Sequence, residues 1–142
     1  MVNKAAEGLV GNRFEFPVER GKVLEFLEAT GGDVEAFGSL IPPTYLTSAF
    51  FWEARVQGAD VKEAIGFDPS RSVHAEQEFR FHGPPPRLGD RLTATSRVDR
   101  IYEKTNRAGK TLTFVDVVTD FRDDKEQLRA EAIMRALEFP HE

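Results

Sequence analysis

Two histidines stand in the body of the chain, His74 and His82, within the stretch VHAEQEFRFHGPPP that also holds Glu76, Gln77 and Glu78. Imidazole titrates near neutral pH, so either ring beside a carboxylate could carry a proton or help activate a water. Their even separation puts both on one face of a regular strand, together with Glu76 and Glu78, while Gln77 turns away. The ordinary alternative is a polar strand face, with His74 starting the strand, His82 ending it and each bonded to backbone or solvent. Asp116 and Asp120, in FVDVVTDF, are acids in an otherwise apolar run and share a face with Val118. Solvated carboxylates are the default reading for both. Thr44 and Tyr45 follow Pro43, where hydroxyls at the amide-rich start of a helix could meet a ligand. Capping for Thr44 and core packing for Tyr45 are the structural alternatives. Arg87 and Arg91, in HGPPPRLGD, could contact a phosphate or an acidic carrier, although paired surface arginines usually do nothing specific.

The elements that must position these groups are legible from periodicity. PVERGKVLEFLEA, residues 17–29, spaces Val18, Val23, Leu24, Phe26 and Leu27 as a short amphipathic helix stopped by Gly31 and Gly32. Pro42 and Pro43 then lead into TYLTSAFFWEARV, whose apolar residues from Tyr45 to Val56 cover most of a helical circumference. Such a helix is expected to be buried nearly all round. Phe50, Phe51 and Trp52 could line a slot for an apolar chain, but plain core is the commoner role of such a run. GADVKEAIGFD, residues 58–68, reads as a looser turn or short helix.

From Ser72 the period changes to two. Phe79 and Phe81 alternate with Glu78, Arg80 and His82 up to the prolines at 84–86. Leu92, Ala94, Ser96 and Val98 alternate with Arg91, Thr93, Thr95 and Arg97, predicting a long strand with one wet face. Asn106 and Gly109 supply a turn before TLTFVDVVTDF, a Thr, Val and Phe-rich strand. LRAEAIMRALEF holds good helix formers, but context favours a last strand with Leu128, Ala130, Ala132, Met134 and Ala136 on one side.

The 142 residues suit one domain spanning 1–142, with 1–10 and 140–142 as loose termini. Cysteine is absent, which excludes thiol catalysis and thiolate metal sites and fits a reducing compartment. No Gly-rich phosphate loop and no metal-ligand spacing occurs, so no cofactor and no metal is expected. The net charge of -5, with basic residues scattered among acids, argues against a nucleic-acid partner. No apolar stretch has the length of a signal peptide or a membrane span, so a cytoplasmic protein with no membrane partner is expected.

An early apolar helix followed by long antiparallel strands predicts an α+β domain: a curved antiparallel sheet wrapped around one central apolar helix, the hot-dog fold. The ordered succession IPPTYL, VHAEQEFRFHGPPPRLGDRLTATSRVDRIYEK and FVDVVTDFRDDKEQLRAEA resembles the MaoC-like dehydratase and (R)-specific enoyl-CoA hydratase family over about residues 11–139. It is most similar to N-terminal or accessory-subunit members. That resemblance implies an acyl thioester on coenzyme A or acyl carrier protein. Active members carry D-x-N-P-x-H after the first helix, an acid and base for adding or removing water. Here the corresponding segment reads GDVEAFGSLIPPTYL, and no histidine precedes His74. Asp33 could be a remnant of the acid, but it lacks a local histidine partner.

The resemblance and the missing pair together imply a non-catalytic subunit that pairs with a catalytic hot-dog partner. On this reading there is no catalytic residue, and Pro43, Thr44, Tyr45, His74 and His82 are the expected ligand-binding residues. Two alternatives stay open. One is a self-sufficient homodimeric thioesterase using Glu76 or Asp33 with a water, and the other a module that binds acyl-CoA without turnover.

Overall fold

The computed structural model describes residues 1–56 and 61–141. Strands β1 (Phe14–Pro17), β2 (Ser72–Phe81), β3 (Arg91–Thr105), β4 (Thr111–Arg122) and β5 (Leu128–Glu138) form one antiparallel sheet in the order β1-β3-β4-β5-β2. Helices α1 (Arg20–Ala29), α2 (Val34–Phe37), α3 (Ala49–Glu53) and α4 (Val61–Ile65) complete the α+β architecture. The period-two reading of β3 holds, for Leu92, Ala94, Ser96 and Val98 are all buried while their neighbours are not. LRAEAIMRALE is a strand despite its helix formers, because β4 and β2 pair with it on both sides. Tertiary pairing here outweighs intrinsic propensity.

β1 was not anticipated. It is four residues long, and its Phe14 and Phe16 oppose Ala94 and Leu92 of β3. Pro17 therefore ends a strand, and the helix begins only at Arg20. Val23 and Leu27 turn inward one helical turn apart, and Gly31, at φ +69°, stops the helix.

The inner face of the sheet is filled from two ends. Phe14, Phe16, Leu27, Tyr45, Leu46 and Phe121 form one core cluster under α1. Val2, Ala6, Val61, Ile65, Val98 and Val117 form the other, under the N-terminal 3₁₀ turn and α4. The first ten residues are thus not loose. Val2 and Ala6 are buried, the Val2 N–H donates to Glu138 Oε1 (3.1 Å) and the Gly8 N–H donates to the Val98 carbonyl (2.9 Å).

The segment after the two prolines departs from expectation. Pro43–Ser48 is a 3₁₀ helix and only Ala49–Glu53 is α-helical, so no continuous helix runs from Tyr45 to Val56. Hydroxyl side chains compete for the backbone there, as where Thr47 Oγ1 donates to the Thr44 carbonyl (2.7 Å). Phe50 and Phe51 are 51% and 65% exposed, so the helix is not buried all round. In the 58–68 stretch α4 supplies the expected short helix, while residues 57–60, like Glu142, lie outside the described part.

Candidate functional site

The two core clusters do not meet along the whole sheet. Between them lies a cavity of about 520 Å³, lined mostly by apolar groups. Leu46, Ala49, Phe50 and Glu53 wall it on the helical side, and Val117, Ala132, Met134 and Ala136 form its sheet floor. The floor follows from register: Ala132 and Met134 oppose Thr119 and Val117 of β4, so their side chains share the inner face. Small residues on β5 leave the space open, since alanine fills little of the depth between sheet and helix.

The lining surface is mostly apolar, but several polar side chains share this wall. Ser96 Oγ and Thr119 Oγ1 lie 2.9 Å apart and satisfy each other across β3 and β4. Glu53 Oε2 accepts from Lys62 Nζ at 3.3 Å, whereas Glu53 Oε1 is buried without a hydrogen-bond partner among the described residues. His74 also faces the cavity, with Nε2 3.0 Å from the Glu76 carbonyl.

The expected common face for His74 and His82 is not formed. β2 carries a bulge between His74 and Glu76, so two residues oppose one on β5 and side-chain parity reverses. His74, opposite Ala136, looks inward with Gln77, Phe79 and Phe81; Glu76, Glu78 and His82 look outward. His82 Nε2 instead lies 2.8 Å from Glu131 Oε2 on the outer face. Glu76 Oε2 accepts from Arg135 Nη1 (2.5 Å), also on that face. Glu76 and Glu78 therefore do not share a face with His74.

Pro43 and Thr44 are exposed and do not wall the cavity. Tyr45 is buried in the core beneath α1, where its ring meets Phe26 edge-on at 5.5 Å between centroids. Asp33 caps α2, accepting from the Glu35 and Ala36 N–H groups at 2.9 and 3.3 Å. Arg87 and Arg91 stay at the surface turn, the Arg87 N–H donating to Asp90 Oδ2.

Asp116 is not the solvated carboxylate expected from alternation. It is 4% exposed on the outer face, held by Arg135 and Arg100. Burial pushes its carboxyl up, and the two guanidinium groups outweigh that, leaving it below the usual carboxylate range. Asp120 accepts from Arg97 Nη1 at 2.7 Å.

Glu53 and Lys62 are the charged cavity residues that sequence reasoning missed. A signal was present for the first: Glu53 falls one helical turn after buried Ala49, the position of an inward-facing residue.

Residues 6–131 match the family described as FAS1-like, dehydratase domain region. The chain belongs to this family. Curated relatives are a UPF0336 protein of Streptomyces griseus subsp. griseus, 34% identical over 135 residues, covering 86% of this chain and 81% of the relative. Another UPF0336 protein, from Streptomyces coelicolor, is 35% identical over 112 residues, covering 67% of this chain and 72% of its own.

Solved structures carry the same fold at lower identity. The C-terminally truncated HadBC (3R-hydroxyacyl-ACP dehydratase) complex from Mycobacterium tuberculosis aligns with TM-score 0.65 at 22% identity, over 93% of this chain and 96% of that one. The ChsH1-ChsH2 complex from the same organism gives 0.68 at 18%, over 98% and 88%. An (R)-hydratase from A. caviae involved in PHA biosynthesis gives 0.61 at 15%, over 94% and 96%. The family's hot-dog sheet is thus the one described above, MaoC-like in fold. Among the described residues no helix is long and apolar enough to cross a membrane.

Proposed function

We propose that this chain is the non-catalytic, acyl-thioester-binding subunit of an (R)-specific enoyl-CoA hydratase or 3-hydroxyacyl dehydratase, and that a hot-dog partner supplies the Asp and His. The observation that carries the reading is a mostly apolar cavity of ligand size whose histidine has no carboxylate partner among the described residues. His74 meets a backbone carbonyl, and the wall's acid, Glu53, faces Lys62. Volumes of this order hold small molecules or the business end of a longer one.

Pairing is supported by the sheet order. β2 is an edge strand of ten residues, hydrogen-bonded only to β5, and its exposed Val73 adds apolar surface. Long open edges are normally covered or paired. Two of the solved structures with this fold are complexes, HadBC and ChsH1-ChsH2, which also supports a hot-dog partner. A homodimer would close the same edge.

Crotonyl-CoA hydration tests the reading. The isolated chain is expected to bind acyl-CoA without turnover, and activity is expected on adding a co-purifying partner that contains D-x-N-P-x-H. Full hydratase activity of this chain alone would overturn the non-catalytic assignment.

The unpartnered Oε1 of Glu53 favours a second reading, thioester hydrolysis with that carboxylate as the water-activating base. Glu76 and Asp33 are poorly placed for that role, the one facing Arg135 and the other capping α2. The same assay separates the readings, since hydrolysis by the isolated chain that is lost in Glu53→Gln would replace the first with the second.

A further inference from the structure

The outer face of the sheet changes character along its strands. Glu76, Arg135, Asp116 and Arg100 stand opposite one another from β2 across β5 and β4 to β3, and their hydrogen bonds match two cations to two acids. Two residues nearer the β3–β4 turn, the next row on the same face is apolar: Val73, Leu137, Phe114 and Tyr102. Val73 is 46% exposed and the other three are half-buried, as is Leu112 one step further along β4. Contiguous exposed apolar surface with a polar rim is where proteins associate.

The rim is basic on one side. Residues 104–115 hold three cations, Lys104, Arg107 and Lys110, and no acid, in a chain whose net charge is -5. Lys104 and Arg107 are exposed and form no ion pair with an acid among the described residues. The neighbouring acid, Glu103, is matched by Lys4 Nζ at 2.7 Å. Two of the cations are held in place by the apolar row itself. The Tyr102 and Phe114 rings stack at 5.2 Å between centroids, with the Arg100 guanidinium 4.2 Å and Lys104 Nζ 5.2 Å from the Tyr102 centroid. Long side chains held over rings have less freedom to lose when a partner binds.

This combination narrows the occupant. Small ligands take concave sites, and the patch lies on the open face of the sheet. A few cations hold a protein on an anionic bilayer only together with an inserted apolar segment, and here the rings lie stacked beneath Arg100 and Lys104. A protein surface with an apolar stripe beside a row of carboxylates matches both halves of the patch. Its position adds to this, since Val73, which ends the apolar row, also borders the large cavity.

We propose that the face formed by Leu112, Phe114, Leu137 and Tyr102, with Lys104 and Arg107 at its rim, docks an acidic amphipathic helix of a carrier protein that delivers the acyl thioester. The inference rests on the acyl-thioester reading and assigns the cavity a protein-borne thioester. It leaves the β2 edge to the hot-dog partner.

Acyl carrier protein without an acyl chain, titrated into the intact protein, tests the surface apart from the cavity, and octanoyl-CoA tests the cavity apart from the surface. The carrier is expected to bind saturably and to weaken about tenfold in the double variant Lys104→Glu, Arg107→Glu, with a similar loss from about 0.05 M to about 0.3 M salt. Octanoyl-CoA affinity should be the same in both proteins. Leu112→Ser reads the apolar half and should also weaken the carrier. No saturable carrier binding up to about a millimolar, or equal affinity in the folded double variant, would overturn the surface while leaving octanoyl-CoA binding to judge the cavity. Carrier binding without octanoyl-CoA binding would keep the surface and remove the acyl-binding reading. Co-sedimentation with vesicles of phosphatidylcholine and phosphatidylserine that the double variant loses would overturn the proposal in favour of a lipid surface. A change of oligomeric state in that variant would overturn it in favour of a second copy of the chain.

Discussion

Ala136→Phe is expected to lower acyl-thioester affinity on the order of a hundredfold while leaving the fold intact. Ala136 is 6% exposed and lies on the cavity floor, opposite His74 on one neighbouring strand and Val115 on the other. A phenyl ring there occupies the space an acyl chain would take. Excluding about four methylenes at about 0.8 kcal/mol each removes roughly 3 kcal/mol, or about two powers of ten. Overpacking normally destabilises because tightly packed neighbours must move, but here the ring enters an existing cavity of about 520 Å³. The melting temperature should therefore shift little. Calorimetric titration of the variant with octanoyl-CoA and crotonyl-CoA checks this, the longer chain losing more. Equal affinity of the variant and the unaltered protein for octanoyl-CoA would place the acyl chain elsewhere.

What could be read from the sequence follows how local each cause is. β3 was legible because Leu92, Ala94, Ser96 and Val98 need nothing beyond regular alternation to face inward. β1 was not, because four residues carry too little pattern and its strand character comes from pairing with Leu92 and Ala94. Composition alone predicts a helix buried nearly all round for the aromatic run, and composition does not say what surrounds it. Among the described residues no further layer covers the side of α3 bearing Phe51, which is 65% exposed.

The site was less legible than the fold for a related reason. Counting residues placed His74 and His82 on one face, and a single extra residue at the bulge before Glu76 sends them to opposite faces. Nothing in VHAEQEF announces that bulge. The cavity depends on two core clusters approaching from opposite ends of the sheet, and a gap between distant packings has no local signature. The resemblance to dehydratases was accessible because it rests on order along the whole chain, and the family match spans residues 6–131. The absence of histidine before His74 was a fact of sequence alone, and it remains the reason for looking to a partner for the acid and base.

Asp116→Ala is expected to cost about 3 kcal/mol and roughly 10 °C of melting temperature, making it the most damaging single change on the outer face. Asp116 Oδ1 accepts from Arg135 Nε at 2.7 Å, and Oδ2 accepts from Arg100 Nη2 at 2.8 Å and Arg135 Nη2 at 3.2 Å. Removing the acid leaves Arg135, only 24% exposed, with Glu76 as its remaining partner. Because the folded-state pKa of Asp116 lies below its unfolded value, the stabilisation is fully present above the unfolded carboxylate value of about 3.9. It is lost as pH falls through the folded value. The stability difference between the variant and the unaltered protein should thus be constant at neutral pH and shrink only in acid, as thermal melts across pH will show. A difference that instead vanished near neutral pH would assign the effect to another group. Arg135 also spans from β5 to Glu76 on β2, so the Asp116 cluster helps fix the very edge strand through which a partner would dock. Loss of Asp116 should therefore weaken partner binding as well as stability, because a looser β2 must be ordered again on association.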